Sequence, residues 1–144
     1  MTGIRRWGLI LGSVLLALLW LGACMQGYRA QGSDLNPAVN QGNIHQTVCV
    51  PGYSRSIRPP SSYTSALKVR QLHELGYADQ NPRHYEEDHR VPLSLGGAPR
   101  DPSNLHPEPW SEARIKDRRE VALWRSVCAD KTRLTDAQQE MRRW

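Results

Sequence analysis

Hydrophobic positions fall into two unlike regions. Residues 7–20 form an apolar run dominated by Leu, and no charge occurs across residues 7–25. Beyond it, apolar residues are scattered among polar ones. Residues 24–46 are rich in Gln, Asn and Gly and hold few large apolar side chains, too few to order a segment by burial, so they read as a flexible tether. Residues 48–53 are apolar enough for a short strand, and Arg58-Pro59-Pro60 favours extended backbone. Leu67, Val69, Leu72 and Leu75 give a partial apolar face to a helix over 64–75, with Gly76 suited to the position just after it. Residues 85–95 read as extended, broken by Pro92 and ended by Gly96-Gly97. A short strand is predicted at 104–106, ended by Pro107 and Pro109. Ser111 is placed to cap a helix reaching about Cys128. Thr135 and Gln138 have capping-box spacing for a last helix, on which Ala137, Met141 and Trp144 make one apolar stripe. Helix, two short strands, helix, helix predicts an α+β domain over residues 47–144.

The N-terminal run carries address information. Arg5 and Arg6 precede it, and Leu21-Gly22-Ala23-Cys24 follows it. A basic start, a short apolar core and a small-residue site have the form of a secretory signal over residues 1–23. The last four residues resemble the lipobox of bacterial lipoproteins, which implies lipidation of Cys24 and tethering to a membrane. The alternative is an uncleaved single-span anchor, since residues 7–25 approach the ~20 residues a bilayer needs. Either reading places the remainder outside the cytoplasm, in the periplasm or cell envelope.

Export changes how the remaining cysteines read. Cys49 and Cys128 are left as a pair, and an oxidising compartment favours their disulfide over two separate buried thiols. It would close a loop of about 80 residues, on the order of 4 kcal/mol by chain entropy. A total of three Cys and the absence of any C-x-x-C exclude a zinc ribbon or knuckle. Composition adds little: 144 residues, 39% hydrophobic and 23% charged, make room for one ordinary domain and exclude collagenous, coiled-coil and multi-span chains. The net charge of +5 permits a nucleic-acid or anionic partner without requiring one.

The chemistry-bearing residues lie between Tyr85 and Lys116. Three acids, Glu86-Glu87-Asp88, precede His89 in an extended segment. Side chains alternate there, so Asp88 and His89 point to opposite faces unless the strand bends. A bend would let Asp88 hold a metal while His89 meets a substrate water, and the acids would raise the histidine pKa. The plain alternative is a solvated acidic strand. Downstream come Val91-Pro92-Leu93, Gly96-Gly97 and Asn104-Leu105 in register. This thirty-residue stretch, Glu87 to Lys116, resembles the HNH endonuclease family, whose core is a ββα-metal finger. The wider layout is similar to exported bacterial HNH-like proteins, through Cys-Val-Pro-Gly-Tyr at 49–53, Tyr-Glu-Glu-Asp-His at 85–89 and Asn-Leu-His-Pro-Glu-Pro-Trp at 104–110.

The resemblance implies roles. His89 is the general base that deprotonates water. Asn104 bonds across the hairpin and fixes the His ring. Asp88 binds a divalent cation, Mg²⁺ foremost with Mn²⁺ or Zn²⁺ as alternatives. Arg90, Arg114 and Lys116 contact phosphates of a nucleic acid, DNA in the first instance. One departure stands out. The family's helix carries a His or Asn ligand where this chain has Ala113, which leaves Glu112 as the substitute ligand and His106 as a further candidate. The resulting expectation is an exported, membrane-tethered, metal-dependent endonuclease. The alternative is an inactive HNH-like protein that binds nucleic acid or serves the envelope structurally.

Overall fold

The computed structural model describes residues 33–144. The signal or anchor over residues 1–23, and Cys24 with its lipid, lie outside the described residues. No described helix is long and apolar enough to cross a membrane.

Local sequence explains most of the elements. After a short helix α1 (Tyr53–Ile57), the extended Pro59-Pro60 step leads into α2 (Ser61–Glu74). Helix α2 ends as the glycine predicts. Gly76 takes φ of 68°, Gly76 N–H donates to the His73 carbonyl, and Tyr77 N–H reaches back to Leu72. Two strands follow, β1 (Tyr85–His89) and β2 (Leu105–Pro109), paired antiparallel with Tyr85 opposite Pro109 and His89 opposite Leu105. Helix α3 (Trp110–Cys128) leaves β2 directly, and α4 (Leu134–Arg142) completes the order. This is a small α+β domain with a two-stranded sheet.

The core sits between α3, α4 and the loop after β1. Ile44, Val91, Leu95, Val127, Ala137 and Met141 are all nearly or fully buried there. Cys49 and Cys128 are disulfide-bonded, with 5.5 Å between their Cα atoms. The bond ties the end of α3 to the segment that precedes α1.

Several elements differ from the sequence expectation. Residues 33–46, assigned to the 24–46 tether, belong to the fold. Leu35 makes a bridge to Gly97, Asn36 N–H donates to Gly96, Asp34 pairs with Arg142, and Ile44 is buried. Three apolar side chains suffice here because the edge at residues 96–98 takes up the backbone polar groups. The strand expected at 48–53 does not form, since Gly52 turns the chain at φ of 84° into α1. Strand β2 continues through Pro107 and Pro109 instead of ending there, which a two-stranded sheet permits because each strand has a free edge. Ser111 does not cap α3, and Pro109 precedes it without a side-chain cap. The Thr135–Gln138 capping box is also absent, because Gln138 is buried and donates to the Leu95 carbonyl. Val69 on α2 and Leu75 just past its end are exposed, while Gln71 on α2 is buried. Trp144 lies past α4 and is exposed.

Reducing the Cys49–Cys128 bond, or replacing both with Ser, is expected to lower unfolding free energy by about 2–4 kcal/mol in urea titrations. An unchanged midpoint would mean that α3 is held by packing alone.

Candidate functional site

Strand alternation sorts the site residues onto two faces. Glu86 and Asp88 on β1 share a face with His106 and Glu108 on β2, because Asp88 lies opposite His106 and Glu86 opposite Glu108. That face meets α3. The opposite face carries Tyr85, Glu87 and Pro107 and meets α2 and the segment after it. There Lys68 donates to the Tyr85 carbonyl, Tyr77 donates to the Pro107 carbonyl, and the Tyr77 and Tyr85 rings pack edge to face.

Asn104 holds the loop that joins the strands. It has no exposed surface, and its side chain makes three bonds. Oδ1 accepts from Val91 N–H at 2.8 Å, and Nδ2 donates to the Val91 and Ala98 carbonyls at 3.0 Å each. Gly97 is obligatory beside it, since a Cβ there would overlap the Val91 carbonyl. The expected bond from Asn104 to the His89 ring is not made. Asn104 acts one residue away, by fixing the loop that carries Pro99.

His89 is nearly buried, and its Nε2 lies 3.1 Å from the Pro99 carbonyl. A carbonyl only accepts, so Nε2 carries the proton and Nδ1 keeps the lone pair. Burial holds the His89 pKa below its ordinary value, against the smaller upward pull of the Pro99 bond and the Asp88 charge. The neighbouring acids were expected to raise it, and desolvation outweighs them. The ring lines a cleft of about 290 Å³ together with Arg58, Ser61, Thr64, Lys68, Glu87 and Trp110. A neutral imidazole of fixed tautomer beside two cationic side chains can take a proton from a water next to a bound anion.

The other face holds a charged lock. Lys116 reaches in from α3 and is 2% exposed. Its ammonium donates to Asp88 Oδ2 at 2.5 Å, to the His89 carbonyl at 2.9 Å and to Glu108 Oε2 at 3.1 Å. All three N–H donors are thereby used. Asp88 Oδ1 accepts from His89 N–H. Burial acts against the Asp88 carboxylate, but the Lys116 charge and these hydrogen bonds outweigh it and hold its pKa low. Burial, with Asp88 beside it, pushes Glu108 up to about 7. His106 is pushed down to about 4 by burial and by the Lys116 charge, and its Nδ1 is buried without a partner among the described residues.

The expected site residues lie as follows. Lys116, expected on a phosphate, is enclosed between carboxylates. Glu112, expected as a metal ligand, is exposed on the first turn of α3, while Ala113 is fully buried. Arg90 and Arg114 are exposed. Arg90 lines a second cleft of about 270 Å³ with His106, Lys116, Arg142 and Arg143. The cations beside His89 are Arg58 and Lys68 instead. Glu108 was missed, because Pro107 and Pro109 suggested that the strand had ended. Its place two residues after His106 was the signal that it faces the same way.

The divalent cation implied by the resemblance does not fit this donor set. Asp88 and Glu108 already converge on an ammonium, and among the described residues no three His, Cys, Asp or Glu side chains are arranged to hold a metal. The chain matches no protein-family model, no curated protein and no solved structure.

Two expectations follow. Asn104→Ala leaves three buried backbone groups unpaired and should cost about 3 kcal/mol or more in denaturant titrations. Both carboxylate oxygens of Glu87 are buried without partners among the described residues, and burial pushes its pKa up to about 7. A raised carboxyl pKa gives stability that is full below the unfolded value of 4.5 and is lost as pH rises through about 7. Glu87→Gln should therefore match wild type near the unfolded value and exceed it in alkali. The residue is only half-buried, so screening leaves a gain of roughly 1 kcal/mol, read from melting curves across pH.

Proposed function

We propose that this chain is an exported HNH-like endonuclease that hydrolyses nucleic-acid phosphodiesters, with His89 as general base. The carrying observation is the His89 ring itself. It is held by the Pro99 carbonyl as the Nε2–H tautomer, kept neutral by burial, and set in a cleft with Arg58 and Lys68. A phosphodiester in that cleft meets positive charge, and the general-base role requires the Nδ1 lone pair to reach a water beside it. The thirty-residue resemblance adds support, because a hairpin running into a helix is the arrangement it implies. Export and membrane attachment through Cys24 belong to the same proposal and rest on the N-terminal residue pattern alone. No step is assigned to Mg²⁺, since Asp88 is engaged by Lys116.

A second reading is favoured by one observation. Ala113 stands where the family's helix carries a ligand, and with it the cleft would bind nucleic acid without cutting it.

Purified full-length chain incubated with plasmid, single-stranded DNA and RNA separates the two. Hydrolysis that falls about 100-fold or more in His89→Ala, with circular dichroism unchanged, is the expected result. The wild-type rate should hold at neutral pH and decline only below the ordinary histidine value of 6.5, because burial lowers the pKa of this base. Cleavage untouched by His89→Ala rejects the assignment. No cleavage, with salt-sensitive oligonucleotide binding lost in Arg58→Ala and Lys68→Ala, selects the binding reading.

A further inference from the structure

We infer that the Lys116 ammonium is a tethered substitute for the divalent cation of a ββα centre, so that the junction between hairpin and helix is complete without a metal. The inference compares this junction with an HNH-like centre and so rests on that reading of the fold, but it does not depend on hydrolysis.

Three oxygens converge on the Lys116 nitrogen. Two belong to the carboxylates of Asp88 and Glu108, and the third is the His89 carbonyl, at 2.5, 3.1 and 2.9 Å. Anionic and carbonyl oxygens gathered on one point are what a hard cation seeks. Here they come from the end of β1 and from β2, the two strands that a ββα metal would bridge to the helix. The helix contributes its own cation to that point, and one turn earlier it offers Ala113, which has no donor atom.

The oxygens are already taken by the lysine. Lys116 and Glu108 are 2% and 3% exposed, the Asp88 side chain is 19% exposed, and every ammonium hydrogen is committed. A divalent ion could enter only by expelling the lysine from between two carboxylates. It would then leave a long cationic side chain without partners on a buried helix face. The tether also keeps the ammonium in place whatever the free metal concentration. In return, the junction depends on one side chain. Without Lys116, two carboxylates and a carbonyl face each other across a buried space with no positive charge between them. That space is one a metal can then occupy.

The test reads binding and stability in the full-length chain, using Mn²⁺ as the probe. Wild type should give the same melting temperature in EDTA and in Mn²⁺, and electron paramagnetic resonance should show the ion free in solution. Lys116→Ala, and Lys116→Met as a variant that keeps the apolar stem, should melt about 10 °C or more lower in EDTA. Mn²⁺ should bind Lys116→Ala and restore much of that loss, and adding Asp88→Asn should abolish the restoration. Stoichiometric Mn²⁺ uptake by wild type, or a metal-induced rise in its melting temperature, overturns the inference. So does a folded Lys116→Ala protein that gains nothing from Mn²⁺. Should neither variant fold, the wild-type titration decides by itself. A chain that takes up no metal and cuts no nucleic acid would sink the nuclease proposal and leave this one standing.

Discussion

The arrangement depends on one buried amide. Asn104 carries donor and acceptor groups on a single planar head, and it spends them on both ends of the loop that leaves β1. A loop of this length closes at an entropic cost that backbone contacts alone would have to offset. Three hydrogen bonds in a dry site, with Gly97 permitting the close approach, fix it to one conformation. Everything the loop presents is then fixed too. The Pro99 carbonyl faces His89, Val91 and Leu95 enter the core, and Gly96 and Gly97 receive the N-terminal segment through Asn36 and Leu35. The amide is thus connected to the base, the core and the first described residues at once.

A second constraint is electrostatic and sits one residue away. Asp88 and His89 are neighbours in sequence but serve opposite faces of the hairpin. On the Asp88 side, Lys116 pairs with both carboxylates, and their charges hold strand to helix. The His89 side is open to a cleft and carries a neutral ring. Separating the two matters, because a lysine ammonium in direct contact with the imidazole would strip it of basicity. The strand's alternation keeps the ammonium on the backbone carbonyl of His89 and away from its ring.

How legible this was depended on whether a signal was local. The helix end at Gly76 and the α+β order follow from glycine geometry and apolar spacing, which act within a few residues. The Cys49–Cys128 bond was legible because only two cysteines remained once Cys24 was assigned to processing. Residues 33–46 misled because their composition is that of a linker, and their order comes from an edge sixty residues further on. Glu108 was hidden by its two prolines, which end a strand in most contexts but not at a free edge. Lys116 is the sharper case. A lysine in a basic helical stretch reads as solvated or phosphate-bound, and only the tertiary position of two carboxylates turns it inward. Tertiary context also reversed the histidine, since acids nearby in sequence raise a pKa only if the ring keeps its water.

The same logic limits what the centre can contribute to chemistry. In a metal centre, one ion both joins the helix to the hairpin and draws charge from the reacting phosphate. An ammonium with all its hydrogens committed can do the first but has none left for the second. On the proposed reading, stabilisation of charge on phosphorus then comes from the His89 cleft, where Arg58 is exposed and Lys68 has one of its donors on Tyr85. On that reading, the two duties of the cation are divided between the Lys116 junction and the His89 cleft. On the proposed reading, the buried ammonium serves architecture and the His89 cleft meets the phosphate. A weaker electrophile in the cleft would make such a centre a slower one, and would place its substrate preference in the α1–α2 segment instead of in the finger.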